Sequence, residues 1–242
     1  MSALTSLVRG LYGFRWIVLP PVTGAAVMAM IIGALVVAPR ETIEGDVQRL
    51  LYIHFPSILA AYGAFAVVFV ASLVVLFRRD MRWDAVARGA ATVGVLFTGL
   101  TLATGALWGK PIWGVFWTWD ARLTSTLVLF LIYAAYLLAR AMADELDEQA
   151  ARFAAVFAVL GAFDIPLIMF SVRWWRTLHP QPIVMRGLER PALPPEMLAV
   201  LMIAFLGISA LAVWLIVLRT ETDWLAKRTA TMRALVDRRE EK

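Results

Sequence analysis

Charge is scarce over six long stretches of the chain, and polar residues gather in the gaps between them. Five runs are wholly uncharged: Ile17–Ala38, Phe55–Phe77, Gly89–Gly109, Leu123–Ala139 and Met197–Leu218. A sixth, Phe153–Val172, is interrupted only by Asp164. A helix rises ~1.5 Å per residue and a hydrocarbon core is ~30 Å thick, so about 20 apolar residues cross it. Backbone groups in lipid must find their hydrogen bonds within the segment, which makes these runs helices. The expected fold is all-α: a six-transmembrane-helix bundle forming one membrane domain over residues 1–242. Its spans lie near 17–38, 55–77, 88–109, 123–142, 153–172 and 197–218. The first run reads as a span rather than a cleaved leader. It is too long for one, and Pro20-Pro21 stands at its start instead of before a cleavage site.

Composition agrees with this reading. Hydrophobic residues make up 61% of the chain and charged ones 17%, whereas soluble domains run at about 45–50% and about 25%. Basic residues are unequally shared between the two faces. The face holding both termini carries Arg9, Arg15, Arg78, Arg79, Arg82, Arg88, Arg140, Arg152 and seven more from Arg219 onward, fifteen in all against eight opposite. The positive-inside bias then predicts cytoplasmic termini in a bacterial inner membrane. The net charge of +5 is accounted for by these loops and a tail facing anionic lipid, so no nucleic-acid partner is implied. With no cysteine, disulfides, thiol relays and cysteine metal sites are excluded. The tail, 219–242, sets Trp224, Leu225, Met232, Leu235 and Val236 near helical spacing among charges. It reads either as an interfacial amphipathic helix or as a docking site for a cytoplasmic partner.

The other face is chemically richer. Both histidines fall there, His54 at the start of the second span and His179 in the longest loop. Neutral imidazole is a common ligand for transition metals. Two histidines without cysteine or a carboxylate motif do not make a four-ligand zinc site. A haem supplies four equatorial nitrogens itself and asks only for one or two axial ligands, which this pair matches.

Between the third and fourth spans, residues 108–122 hold Trp108, Trp113, Phe116, Trp117 and Trp119, four of the ten tryptophans within twelve residues. An aromatic belt would spread its rings over both interfaces. Here six tryptophans, counting Trp174 and Trp175, crowd one face, so the segment reads as a platform for a large planar apolar molecule. Trp113 and Trp117 would share a face of a helical turn, and Gly109 and Gly114 would admit a flat ligand closely. Arg122, Arg173 and Arg176 are suited to carboxylates such as propionates, although lipid headgroups or Asp120 would also satisfy them. Asp120 fits an N-cap of the fourth span equally well. Asp164 is too costly to face lipid and is expected inside the bundle, beneath the site.

The run Trp108-Gly-Lys-Pro-Ile-Trp-Gly-Val-Phe-Trp-Thr-Trp-Asp-Ala-Arg-Leu-Thr-Ser125 resembles the tryptophan-rich "WWD" signature of haem-handling proteins in cytochrome c maturation. The run Phe163-Asp-Ile-Pro-Leu-Ile-Met-Phe-Ser-Val-Arg-Trp-Trp-Arg-Thr-Leu-His-Pro-Gln-Pro182 resembles a second signature, found in the CcmC branch, the haem exporter C proteins of system I. The resemblance covers essentially the whole chain. It implies that haem b is held on the periplasmic side, with His54 and His179 as axial ligands and Trp113, Trp117, Trp119 and Asp120 as platform. It also implies delivery of haem to the chaperone CcmE, in company with the small membrane protein CcmD and the CcmA–CcmB ABC transporter. Phe116 stands where many members have tryptophan; it keeps the stacking face and lacks the indole N–H.

Two other classes compete. A transporter moving haem through its own bundle would need ionisable residues near midplane, and the spans offer Asp164 alone. An electron-transfer cytochrome b would ordinarily use four histidines for two haems. No nucleophile–base pair and no nucleotide-binding glycine loop points to conventional enzyme chemistry; a haem-lyase-like contribution would draw its reactive histidine from the chaperone.

Overall fold

The computed structural model describes residues 3–175, 177–179 and 193–240. Seven α-helices carry the described chain: α1 (Ala3–Ile32), α2 (Leu51–Arg78), α3 (Arg82–Trp113), α4 (Ala121–Met142), α5 (Glu148–Ala162), α6 (Asp164–Trp174) and α7 (Pro195–Glu240). A π-helical turn over Gly33–Val37 closes α1, and a 3-10 turn over Asp46–Leu50 leads into α2. Six helical segments are long and apolar enough to cross a membrane, with α5 and α6 acting together as the fifth. The chain is a multi-pass helical membrane protein.

Two boundaries differ from those the apolar runs suggest, each for a local reason. The third helix runs on through Lys110 and Pro111 to Trp113, beyond the expected end at 109. It stops at Gly114, whose φ of 78° supplies the left-handed residue that closes a helix, its N–H bonding to the Lys110 carbonyl at 3.0 Å. Trp113 and Trp117 therefore share no helical turn, because the helix is over before Trp117. The fifth span is not one helix but two, parted at Phe163. Pro166 explains the break. It has no N–H to offer the Ala162 carbonyl, and its ring would collide with that carbonyl in a continuous helix.

The centre of the bundle is the antiparallel pair α2–α3. Small residues line it: Ala60, Ala61, Ala64 and Ala71 on one helix, Ala87, Ala90 and Ala91 on the other, all buried. Lipid tails are as apolar as leucine, so close van der Waals packing rather than water exclusion holds such helices together. Phe65 of α2 stacks on Tyr133 of α4 at 3.9 Å between centroids, and the Tyr133 hydroxyl donates to the Ala158 carbonyl of α5 at 2.9 Å. α1 lies outermost, against α7. A side chain at Gly207 would stand 2.9 Å from the Ala26 carbonyl oxygen, so this crossing depends on glycine.

Alternation of direction sorts the side chains to two ends. One end holds buried ion pairs. Arg140 of α4 and Lys227 of α7 both meet Asp84 of α3, at 3.0 and 2.6 Å. Arg88 reaches Glu145 and Asp223, and Arg219 meets Asp223 at 3.2 Å. Trp224 Nε1 and Lys227 Nζ donate to the carbonyls of Arg82 and Met81. Residues 219–240 are thus a direct continuation of α7, locked by their first turns to the start of α3. The opposite end holds the starts of α2 and α4, the ends of α3 and α6, and both histidines.

Candidate functional site

α2 brings His54 against the last turns of α3. Its Nδ1 lies 3.1 Å from Thr104 Oγ1, and its ring meets Trp108 edge-on at 5.9 Å. The Thr104 hydroxyl spends its one proton on the Leu100 carbonyl at 2.7 Å. It can therefore only accept from His54, which puts the imidazole proton on Nδ1 and leaves the Nε2 lone pair free. That is the tautomer a metal ligand needs, with the other ring nitrogen held by a second group. Gly105 makes room for the ring, since a Cβ there would stand 3.0 Å from His54 Cε1. Thr101, Thr104, Gly105 and Trp108 form one stripe of α3 at helical spacing.

Farther along α3, Trp113 approaches His179, with ring centroids 6.5 Å apart and planes tilted by 60°. His179 lies within electrostatic reach of His54, as does Arg122. The end of α3 thus meets both imidazoles, each through a tryptophan. Among the described residues no cluster of three or more His, Asp or Glu side chains is placed to hold a metal ion. Gly109 does not leave an open seat for a flat ligand. The Trp113 ring itself lies back over it, 3.0 Å from where a Cβ would be.

Trp117 and Trp119 meet edge to face at 5.7 Å in the irregular stretch after Gly114. Trp119 is 77% exposed and Phe116 56%. Lys110 sits over the Phe116 ring at 5.3 Å and donates to the Gly114 carbonyl at 2.8 Å. Asp120 caps α4. One carboxylate oxygen accepts from the backbone N–H groups of Arg122 and Leu123, both at 3.0 Å, and the other from the Thr118 hydroxyl at 3.1 Å. Its oxygens are occupied by the turn, which leaves the Arg122 guanidinium to face inward. Arg122 Nη1 is buried without a partner among the described residues, like Trp117 Nε1, Tyr62 Oη and Asp164 Oδ2.

The expected residues on α6 gather apart from these rings. Trp174 stacks on Phe170 at 5.4 Å and meets Trp175 at 5.8 Å, while Arg173 sits over Phe170 at 6.0 Å. Arg176 lies outside the described residues. Sequence reasoning passed over Thr104, Gly105, Tyr62 and Glu44, whose carboxylate accepts from Trp108 Nε1 at 2.9 Å. Thr104 could have been found by stepping back one turn from Trp108 along a helix; Glu44 had no signal, because the loop before α2 has no period to read.

Comparison with known proteins completes the description. The family model described as "Heme exporter protein C" matches residues 7–235. A "Heme exporter protein C" of Bradyrhizobium diazoefficiens is 42% identical over 195 residues, covering 78% of this chain and 73% of that one. That of Haemophilus influenzae is 35% identical over 196 residues, covering 81% and 78%. A "Putative cytochrome c biosynthesis ccmC-like mitochondrial protein" of Marchantia polymorpha is 40% identical over 143 residues, covering 59% and 60%. With the match running through α1 to α7 and across both signatures, the chain belongs to the heme exporter protein C (CcmC) family.

Proposed function

We propose that this protein holds haem b at the histidine end of the bundle and delivers it to the chaperone CcmE during c-type cytochrome biogenesis. One observation carries the reading: the ring-bearing end of α3 meets both His54 and His179, each through a tryptophan. The Nε2 of His54 is available to iron because Thr104 holds Nδ1. Haem iron takes one or two such ligands. Trp113, Trp117 and Trp119 contribute stacking area, and Arg122, with Nη1 unpartnered, offers a fork donor to a propionate. Trp108 orients His54. Asp120 acts through the start of α4, and Trp174, Trp175 and Arg173 form an outer wall at the same end.

On this reading the histidine end faces the periplasm, both termini are cytoplasmic, and the bilayer is the bacterial inner membrane. CcmD and CcmA–CcmB are the expected membrane partners. A conduit through the bundle is disfavoured by where its hydroxyls go. Thr98 and Thr101 each donate to the carbonyl one turn back, at 2.8 Å, so their protons are already engaged within α3.

The absorption spectrum of the purified protein tests the axial assignment. His54→Ala and His179→Ala should each lower haem retention and leave a five-coordinate species that added imidazole restores. Trp83→Ala, at the far end of α3, should do neither. A double histidine variant with an unaltered haem spectrum would overturn the proposal.

A further inference from the structure

At the end of the bundle away from the histidines, α2 and α5 part to leave a cleft of about 510 Å³. Leu76, Phe153 and Val156 give it an apolar side, and Arg79, Arg152, Glu148 and Gln149 a polar rim. These two guanidiniums, like Arg78 beside them, differ from the paired cations of the same end. Arg82, Arg88, Arg140, Arg219 and Lys227, all at the same end, are each engaged with a carboxylate. Arg79 and Arg152 form no ion pair among the described residues. Glu148, one turn before Arg152, also lines the cleft, so the rim keeps one net positive charge.

Arg79 is held there by an unusual backbone. It is the one non-glycine residue with positive φ among those described, at 54°. Its N–H closes α2 on the Val75 carbonyl at 3.2 Å. A left-handed helix end is ordinarily a glycine position. An arginine kept in strained backbone points to a use for its side chain. Above the rim, α5 presents an exposed apolar track: Phe153 at 64%, Phe157 at 49% and Leu160 at 61% exposure, with the two phenyl rings 5.2 Å apart. The cleft lies where these spans leave the hydrocarbon, so what meets it is a lipid with its phosphate at the rim and its chain on the track.

We propose that the α2–α5 cleft is a binding site for one anionic phospholipid, its headgroup phosphate between Arg79 and Arg152 and an acyl chain along Phe153, Phe157 and Leu160. Two unpaired cations beside an apolar surface suit a lipid with net negative charge better than a zwitterionic one, whose amine would meet the same arginines. Basic recesses between spans are a known setting for anionic headgroups, each arginine contributing about 1 kcal/mol, or about 5-fold in affinity.

Native mass spectrometry of the full-length chain, titrated with phosphatidylglycerol or phosphatidylcholine, tests this. Wild type should bind a single phosphatidylglycerol at least about 5-fold more tightly than phosphatidylcholine. R79Q and R152Q should each lose about that factor, while R78Q, an equal loss of charge beside the cleft, should lose none. R79G removes the arginine and relaxes the backbone at once, so it should melt no lower than wild type and still lose the lipid. Equal affinity for phosphatidylcholine, an equal loss in R78Q, full affinity in R79G, or displacement of the lipid by inorganic phosphate would each overturn the assignment.

Discussion

The two ends of the bundle treat buried polarity in opposite ways. At one, Asp84, Arg88, Arg140 and Asp223 are sunk among helices and joined into a network across α3, α4 and α7. Atoms left over there, such as Arg140 Nε and Asp223 Oδ2, belong to side chains already held by another of their atoms; among the described residues the Ser72 and Thr220 hydroxyls are the exceptions. Toward the other end Tyr62, Trp117, Arg122, Thr124 and Asp164 each bury a polar atom that has no partner among the described residues. Native proteins rarely leave such groups unsatisfied, because each costs about 1–3 kcal/mol. The contrast separates an end whose charged groups pair with one another from an end where several buried polar atoms have no partner among the described residues.

Breaking the paired end should have the largest effect. Asp84→Ala strands Arg140 and frees Lys227, and removing one partner of a buried pair costs about 3–5 kcal/mol. Titration with a denaturing detergent, followed by circular dichroism, should show the loss as earlier unfolding. Haem bound per folded molecule should stay near that of wild type, since the histidine end is untouched. An unchanged transition would mean the network contributes nothing.

The histidine end should respond the other way, losing ligand before stability. Trp117→Ala removes one stacking face, and aromatic stacking contributes about 1–3 kcal/mol per ring. Haem affinity should fall by about 5- to 150-fold with little change in unfolding. Asp120→Ala, which removes the cap of α4, should instead cost about 1 kcal/mol of stability and leave most haem bound. If the tryptophans serve only to dock the chaperone, Trp117→Ala will keep its haem and fail to pass it on.

The smallest effect sharpens the contrast at a single bond. Thr104→Val deletes the acceptor for His54 Nδ1–H, about 0.5–1.5 kcal/mol. Fold and retention should both survive, while the haem spectrum shifts as the imidazole loses its fixed tautomer. No spectral change would disconnect Thr104 from the site.

Much of this was legible in the sequence because lipid leaves a helix few alternatives. Six charge-poor runs became six membrane-length helical segments. His54 and His179 fell at one end because alternating spans send them there. What escaped was set by single residues acting on the backbone. Gly114 rather than Lys110-Pro111 ends α3, which moved Trp113 onto a helix and Trp117 off it. Pro166 splits a span that hydropathy reads as continuous. The ion-pair network was invisible for a different reason: Asp84, Arg140 and Lys227 lie 143 positions apart at the extremes, and only the packed bundle brings them together.

The stop at Gly114 divides the ring-lined end into two kinds of wall. Trp108 and Trp113 ride on a helix pinned at its far end by buried ion pairs, so they are a fixed wall. Trp117 and Trp119 hang from the short irregular strap between Gly114 and the Asp120 cap, tethered at both ends and free of helical register. On the proposed reading a flat guest would meet rings carried by two kinds of backbone, one helical and one irregular.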